Sequence, residues 1–526
     1  MPPLPTAYLL GQDRDLLAPL RFLDPDGAVE ALAESATPMT DRTALAEALR
    51  VANDAYGHPR AEELARKLAD PRTRVVVTGQ QPGLWGGPLM TLSKAVAAVR
   101  WAQALENAGV PAVAVFWVAT EDHDFAESSR VSFIAPTGPE TLDLGEDPDP
   151  LLPVGMRTFG PPLVSAMERA EELLGSGAAE GIQTARAFYR PNARFGEAFS
   201  RLMVKIFADR APLFLDAMLP ELKQAQAPYL ERLVEARAEL DAAYADRDAR
   251  IQDRGHPLQV TPQPGLSPLF LLHSTQDEIG DHVQRRRIEW RADEHFGLRG
   301  SEGTWSVTEL LSTIRDNPST VSPGVLARPA LQDAVLGSTL LVLGPGELSY
   351  LAQAAPGYEA LGIEPPWVTL RPQSMILDTR SSSWLQELGL PLTELLDSTP
   401  EEIVARRFSE DPVGPVREEI DRALATLREQ VLMIDQTLEK PWKKTQDQVH
   451  RGLEIFGGKV RNAVANRHGV WLRRAEKLHQ MLRPAGSLQE RKISTLFFYA
   501  RYGDALARSF LEDLDLDPRK LSVIHP

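Results

Sequence analysis

The sequence predicts an α/β protein, an open parallel-sheet core with inserted connecting segments, followed by a C-terminal antiparallel coiled-coil arm of two helices. Three stretches carry that expectation. Arg74 to Asp124 runs through a β-branched segment, a glycine-rich turn, apolar residues at helical spacing and a second apolar run. Ser338 to Ser349 repeats apolar run, glycine turn and helix. From Pro415 onward, apolar residues fall at alternating spacings of four and three.

In chain order, residues 1–73 read as helical: Leu45–Ala55 and Glu62–Leu68 are separated by Gly57 and Pro59, and Pro71 ends the second. Val75–Val77 reads as a strand, Met90–Leu105 as a helix and Val113–Ala119 as a second strand. Both strand runs are apolar on both faces, as parallel strands covered by helices are, so the three form a right-handed βαβ unit. Ligands of open α/β sheets bind beyond the carboxyl ends of the strands, where Thr78–Pro88 and Thr120–Asp124 fall.

Val131–Ala135 is a further candidate strand, and 136–162, rich in Pro, Gly and Asp, resembles an insertion over the sheet. Phe195–Phe207 reads as a helix, Pro212–Leu215 as a buried strand and Leu219–Arg250 as one long charged helix, with Leu269–His273 the next strand. The basic run Gln284–Arg287 reads as a solvated face. The expected division is 1–135 and 269–400 for the two halves of the core, 136–268 for the inserted segment with further core elements, 401–484 for the arm and 485–526 for a tail docking on the core.

In the arm, Ile420, Leu424, Leu427, Val431 and Ile434 form one seam. Asp435–Lys440 turns the chain ahead of Pro441. Val449, Leu453, Phe456 and Val460, then Trp471, Ala475, Leu478 and Leu482, stripe a single returning helix that stops before Pro484. One hairpin cannot bury both seams, so a homodimer through the arm is expected.

Lys and Arg number 57 against 73 Asp and Glu, a net charge of −16, which argues against nucleic acid and anionic membranes as partners and for small molecules. With no membrane-spanning run and no signal-like start, the expected location is cytoplasmic. The absence of cysteine removes disulfides, thiolate metal ligands and a cysteine nucleophile.

Several residues bear chemistry. Gly86 and Gly87 stand at a helix start, where backbone amides suit an anion, with Lys94 further along; Lys94 either neutralises a phosphate or carboxylate or is a helix-surface lysine. Gln80 and Gln81 suit a carboxylate or sugar hydroxyls, or brace the turn. No Walker A spacing is present. Gly344, Pro345 and Gly346 with Ser349 come close to a dinucleotide fingerprint but lack an acidic ribose partner; they present helix-start amides to an anion or simply form a tight turn. In Thr120–Asp124, strand alternation would place Glu121 and His123 on one side and Asp122 and Asp124 on the other. His123 would then take a proton while a carboxylate orients its ring; the alternatives are Mg²⁺ ligation through oxygen and pairing within the loop.

TGQQPGLWGGPLMTLSKA, FWVATEDHDF, SPGVLARPALQD, GPGELSY and the late LQER with a following YG, in this order, resemble the bacillithiol-synthesis cysteine ligases of the BshC family over nearly the whole chain. The resemblance implies a Rossmann-like core, a coiled-coil arm that builds a dimer, and the last step of bacillithiol formation, the addition of L-cysteine to glucosaminyl malate. Amide formation from a free carboxylate needs activation, so ATP with Mg²⁺ is expected; zinc is not, since it would normally draw on cysteine ligands. His123, Asp122, Asp124 and Lys94 are then the catalytic candidates. Thr78, Gln80, Gln81, Gly86, Gly87, Ser93, Glu121, Ser322, Arg328, Gln332, Gly344, Gly346, Glu347, Tyr350 and Arg371 are candidates for substrate binding, the arginines suiting the two carboxylates of malate. Gln489, Glu490 and Arg491 either line a nucleotide pocket between arm and core or cap a helix. The family often has His where this chain has Ser93 and Asn where it has Gly324; serine cannot hold a proton at neutral pH as imidazole does. The competing readings are a dimeric scaffold with a regulatory nucleotide site and a nucleotidyltransferase acting on another small molecule.

Overall fold

Val75, Val76 and Val77 are each at most 1% exposed, and they alternate between two apolar layers on opposite faces of one sheet. In the computed structural model, which describes residues 2–35, 40–263, 265–277, 280–408 and 413–526, this run forms the centre of the core. Six strands, β1 (Arg21–Phe22), β2 (Arg74–Gln80), β3 (Ala112–Val118), β4 (Leu213–Asp216), β5 (Ser338–Leu343) and β6 (Trp367–Leu370), lie in the order β1-β6-β5-β2-β3-β4. Every neighbouring pair is parallel. Leu92 and Val96 of the helix Met90–Asn107 cover one face beside Val76, Phe116 and Val342. Leu222, Leu331 and Leu348, from the helices Pro220–Glu235, Arg328–Leu336 and Pro345–Ala354, cover the other.

The order of the strands positions the site. After β2 the chain moves outward through β3 to β4, and β5 later returns on the opposite side of β2. The connections leaving β2 and β5 therefore diverge, opening a crevice at the carboxyl ends of these strands.

Two expectations about flanking elements are corrected and one holds. Leu269–His273 belongs to the strand Leu266–Asp277 of a separate five-stranded antiparallel sheet, and Gln284–Arg287 lies on its neighbour Gly280–Arg291. Val131–Ala135 is a strand as expected, within Arg130–Ala135, and pairs in a hairpin with Gly138–Asp143. The long charged helix is two, Pro220–Glu235 and Arg237–Asp253, separated at Ala236, whose ψ of 13° leaves the helical range.

The arm pairs Val413–Ile434 with Glu439–Arg467. Its cross-links Arg417–Glu454, Asp421–His450 and Arg428–Glu439 advance along one helix while retreating along the other, so the pair is antiparallel. The returning stripe is divided at His468, where the ring stacks on Phe408 at 3.6 Å between centroids. Beyond it, Ala475, Leu478 and Leu482 of Gly469–Leu482 leave the seam and pack with Leu395, Ile403 and Val404 as the arm's root. Leu424 is buried, whereas Leu427, Ile434 and Phe456 are 45%, 81% and 60% exposed. In the tail, Leu496, Phe497 and Phe498 enter the core layer on the Met90–Asn107 side. β7 (Gln373–Ile376) pairs in parallel with β8 (Leu521–Ile524). No helix among the described residues is long and apolar enough to cross a membrane.

Candidate functional site

At the carboxyl ends of β2, β3 and β5 lies a cavity of about 510 Å³. Of the sequence candidates it brings together Gln80, Gln81, Lys94, Glu121, Asp122, His123, Arg328, Gly344, Gly346, Glu347, Tyr350, Arg371 and Arg491.

Lys94 is 2% exposed and so is no helix-surface lysine. Its Nζ donates to Gly79 O at 2.8 Å, to Gln80 Oε1 at 2.7 Å and to Glu347 Oε2. Burial pulls its pKa down and the Glu347 carboxylate pushes back, which is how a buried ammonium is kept in place. Gln80 extends the chain by donating Nε2 to Glu127 Oε1 at 2.7 Å. Desolvation, then Asp124, holds the Glu127 carboxyl above its usual value. Glu347 also accepts the Gly344 amide at 2.7 Å, so the first free N–H at this helix start is taken by the protein's own carboxylate. Gly346 has nothing within 4 Å of where a Cβ would stand, leaving its backbone open to the cavity.

The polar cluster following β3 is a turn, because the strand ends at Val118. Alternation is therefore lost. Glu121, Asp122 and His123 line the same cavity, while Asp124 turns away to cap Phe125–Ser128 by accepting the Glu127 amide at 2.9 Å. Glu121, 4% exposed, pairs with Lys223. Asp122 accepts Gln81 Nε2 at 2.8 Å. His123 Nδ1 lies 3.1 Å from Arg285 Nη1, and burial followed by the Arg285 charge lowers the imidazole pKa.

Arg285 is the main residue the sequence reading missed, having been assigned to a solvated face. It is 4% exposed because its guanidinium is fully employed, donating to Ser322 Oγ at 2.9 Å and Pro323 O at 2.7 Å and lying 3.9 Å above the Phe270 ring. Glu127 was also missed, and the short spacing from Asp124 was its only signal. On the opposite wall, Arg328 donates to Tyr350 Oη at 2.5 Å and Gln332 Oε1 at 2.9 Å, and burial raises the Tyr350 hydroxyl to about 12.

Other candidates are structural in position. Gly86 and Gly87 do not line the cavity: the Gly86 amide donates to Tyr189 Oη at 3.1 Å and that of Gly87 to Leu84 O at 3.0 Å. Thr78 bonds Val342 O, and Ser322 serves Arg285. Gln332 supports Arg328 and Asp333. Ser93 faces away from the cavity and meets Ser374 Oγ at 2.6 Å, so position 93 here is a strut to β7. Gln489 pairs with the Ile376 backbone, and Glu490 with Ser374 and Arg371; at 0% and 1% exposure they lock the tail to β7 and do not form a nucleotide pocket. Only Arg491 of that trio reaches the cavity. A Cβ at Gly324 would come within 2.9 Å of the Phe270 ring, which fills the space an asparagine would need.

Residues 24–372 match the family model described as "Bacillithiol biosynthesis BshC, N-terminal Rossmann-like domain", and residues 374–525 match the "C-terminal coiled-coil domain" of the same family. Two relatives carry the name "Putative cysteine ligase BshC". The protein of Salinibacter ruber is 30% identical over 92% of this chain and 89% of its own length, and that of Solibacter usitatus is 31% identical over 95% and 92%.

Proposed function

The chain belongs to the bacillithiol-biosynthesis BshC family, and from that premise we propose that it is a ligase joining the carboxyl group of L-cysteine to the amine of glucosaminyl malate. The observation that carries the reading is the cavity at the reversal of strand order, where cationic Lys94, Arg328, Arg371 and Arg491 share the walls with Glu121, Asp122, Glu127 and Glu347. Such a mixed lining suits reactants that bring carboxylates and an ammonium together. Arg491 is exposed and free to turn toward a malate carboxylate, whereas Arg371, held by Glu490 at 2.8 Å, supplies a fixed positive wall.

ATP with Mg²⁺ is the proposed activator. The open backbone at Gly346 and the Arg491 guanidinium fit its phosphates, while Lys94, already held by three partners, fits a positioning role better than direct phosphate capture. Bound there, ATP would supply a leaving group for the cysteine carboxylate. Glu121 and Asp122 would orient the amine, beside His123 on the same wall. A homodimer through the arm is part of the proposal, since Leu427, Ile434 and Phe456 leave apolar surface uncovered on a single chain.

Purified protein incubated with cysteine, glucosaminyl malate and ATP–Mg²⁺ should form bacillithiol, detected as its thiol adduct by mass spectrometry, with ATP consumed in proportion. Folded protein that forms none, with or without cell extract, overturns the ligase reading.

A further inference from the structure

We infer that His123 works as a neutral hydrogen-bond donor through Nε2 and that Arg285 is the positioning residue that fixes this tautomer. The inference rests on the ligase reading of the cavity for its catalytic meaning, but its structural content stands apart from it.

An arginine side chain has five N–H donors and no acceptor. With Arg285 Nη1 at 3.1 Å, His123 Nδ1 must offer its lone pair, because a proton there would set N–H against N–H. The ring proton then sits on Nε2. This excludes the two forms a general base passes through: a free lone pair on Nε2 and an imidazolium carrying protons on both nitrogens. Arg285 cannot readily yield, since its other donors engage Ser322 and Pro323 and its plane lies on Phe270. Its backbone amide is fixed too, donating to Leu151 O at 2.7 Å.

The groups that face His123 are Arg285 and Phe270 from the antiparallel sheet, Asp122 and Asp124 from its own turn, and Arg157 from the loop beyond Pro153. Asp122 is spoken for: it accepts Gln81 Nε2 at 2.8 Å, the His123 backbone amide at 2.8 Å and Arg285 Nη1 at 3.4 Å, and its Oδ1 lies 3.6 Å from His123 Nδ1, too far to accept a proton from the ring. The imidazole therefore offers the cavity one N–H, suited to an anionic oxygen of the reactants, whether a carboxylate, a phosphoryl oxygen or the oxygen that gains charge as the acyl carbon is attacked. The carboxylates on the cavity wall remain for handling the amine proton.

The test has an arm independent of turnover. With ¹⁵N-histidine label and His123→Gln to assign the signal, the His123 ring in the full-length protein at pH 7 should show a pyrrole-like Nε2 and a pyridine-like Nδ1. The reverse pattern, or an imidazolium, overturns the inference. Arg285→Met, which removes the N–H donors and is checked for folding by circular dichroism, should return the ring to a tautomer mixture; an unchanged pattern removes Arg285 from the role. In the bacillithiol assay, His123→Gln, which keeps an N–H donor, should hold kcat/KM within about tenfold of the parent. His123→Ala should lose about a hundredfold or more. Equal losses of about 10²–10⁴ in both variants are the signature of a general base and would overturn the donor role. Should the parent protein form no bacillithiol while the ring shows the stated tautomer, the ligase reading fails and the Arg285–His123 assignment survives.

Discussion

Lys94 and Glu347 meet as a buried ion pair across the reversal of strand order, the lysine from the helix after β2 and the glutamate from the helix after β5. Lys94 is held by three partners, so the pair ties the two halves of the core together at the cavity wall. Replacing one partner strands the other. Glu347→Gln and Lys94→Met should each destabilise the protein by about 3 kcal/mol, and the double variant should recover part of the loss. Chemical denaturation of the four proteins measures this; additive losses would show that the two groups do not interact.

Asp333 is fully enclosed, accepting from Tyr358 Oη at 2.6 Å, and burial pushes its carboxyl up to about 6. A raised value in the folded state means its contribution is present below about pH 4, the unfolded value, and is lost as pH climbs through about 6. Two units correspond to about 3 kcal/mol. Asp333→Asn keeps an acceptor for Tyr358 and removes the titration, so between about pH 4 and 6 the parent should lose stability relative to the variant, with the two running parallel at higher pH. Parallel slopes within that window would refute the linkage.

Gly181, on the helix Ala179–Phe188, has Ala500 Cα 2.5 Å from where a Cβ would be built. Neither backbone can give way without parting the tail helix Thr495–Tyr502 from the core. Gly181→Ala should cost about 1–3 kcal/mol and expose the tail to limited proteolysis, with cleavage appearing first beyond residue 485. Gly177, with open space around it, is the control.

Charge on the exposed apolar arm should separate the proposed dimer. Leu427→Glu with Phe456→Glu leaves the Asp421–His450 and Arg428–Glu439 cross-links of the hairpin in place. Sedimentation should shift from dimer to monomer with the helical signal retained. A parent that already sediments as a monomer would refute the arm as a dimer interface.

What could be read from the sequence was what local pattern encodes. Val75–Val77 and Ser338–Leu343 were recognisable as buried strands because β-branched and leucine runs between glycine turns admit few other readings. The polar residues at their ends then fell at the crevice, and most of the cavity wall was named in advance. Arg285 was illegible for the opposite reason. Nothing in a run of glutamine and arginines reports that Phe270 lies beneath one of them and that a turn some 160 residues earlier supplies a histidine. That Ser93 and Glu490 do not line the cavity was not legible, because a helix position says nothing about which partner it meets; here both meet Ser374. The coiled-coil stripe was correctly periodic but blind to the break at His468, where tertiary stacking on Phe408 decides the path.

Ile376 waits for Ile524, its partner in β7 and β8, through 148 residues of synthesis. During translation, the first strand edge, the hydroxyl of Ser374 and the base of the arm emerge long before the segment that covers them. A chain interrupted before residue 521 therefore leaves β7 without the strand it pairs with. Such interrupted products should be aggregation-prone, because the backbone donors and acceptors of β7 then stay unpaired.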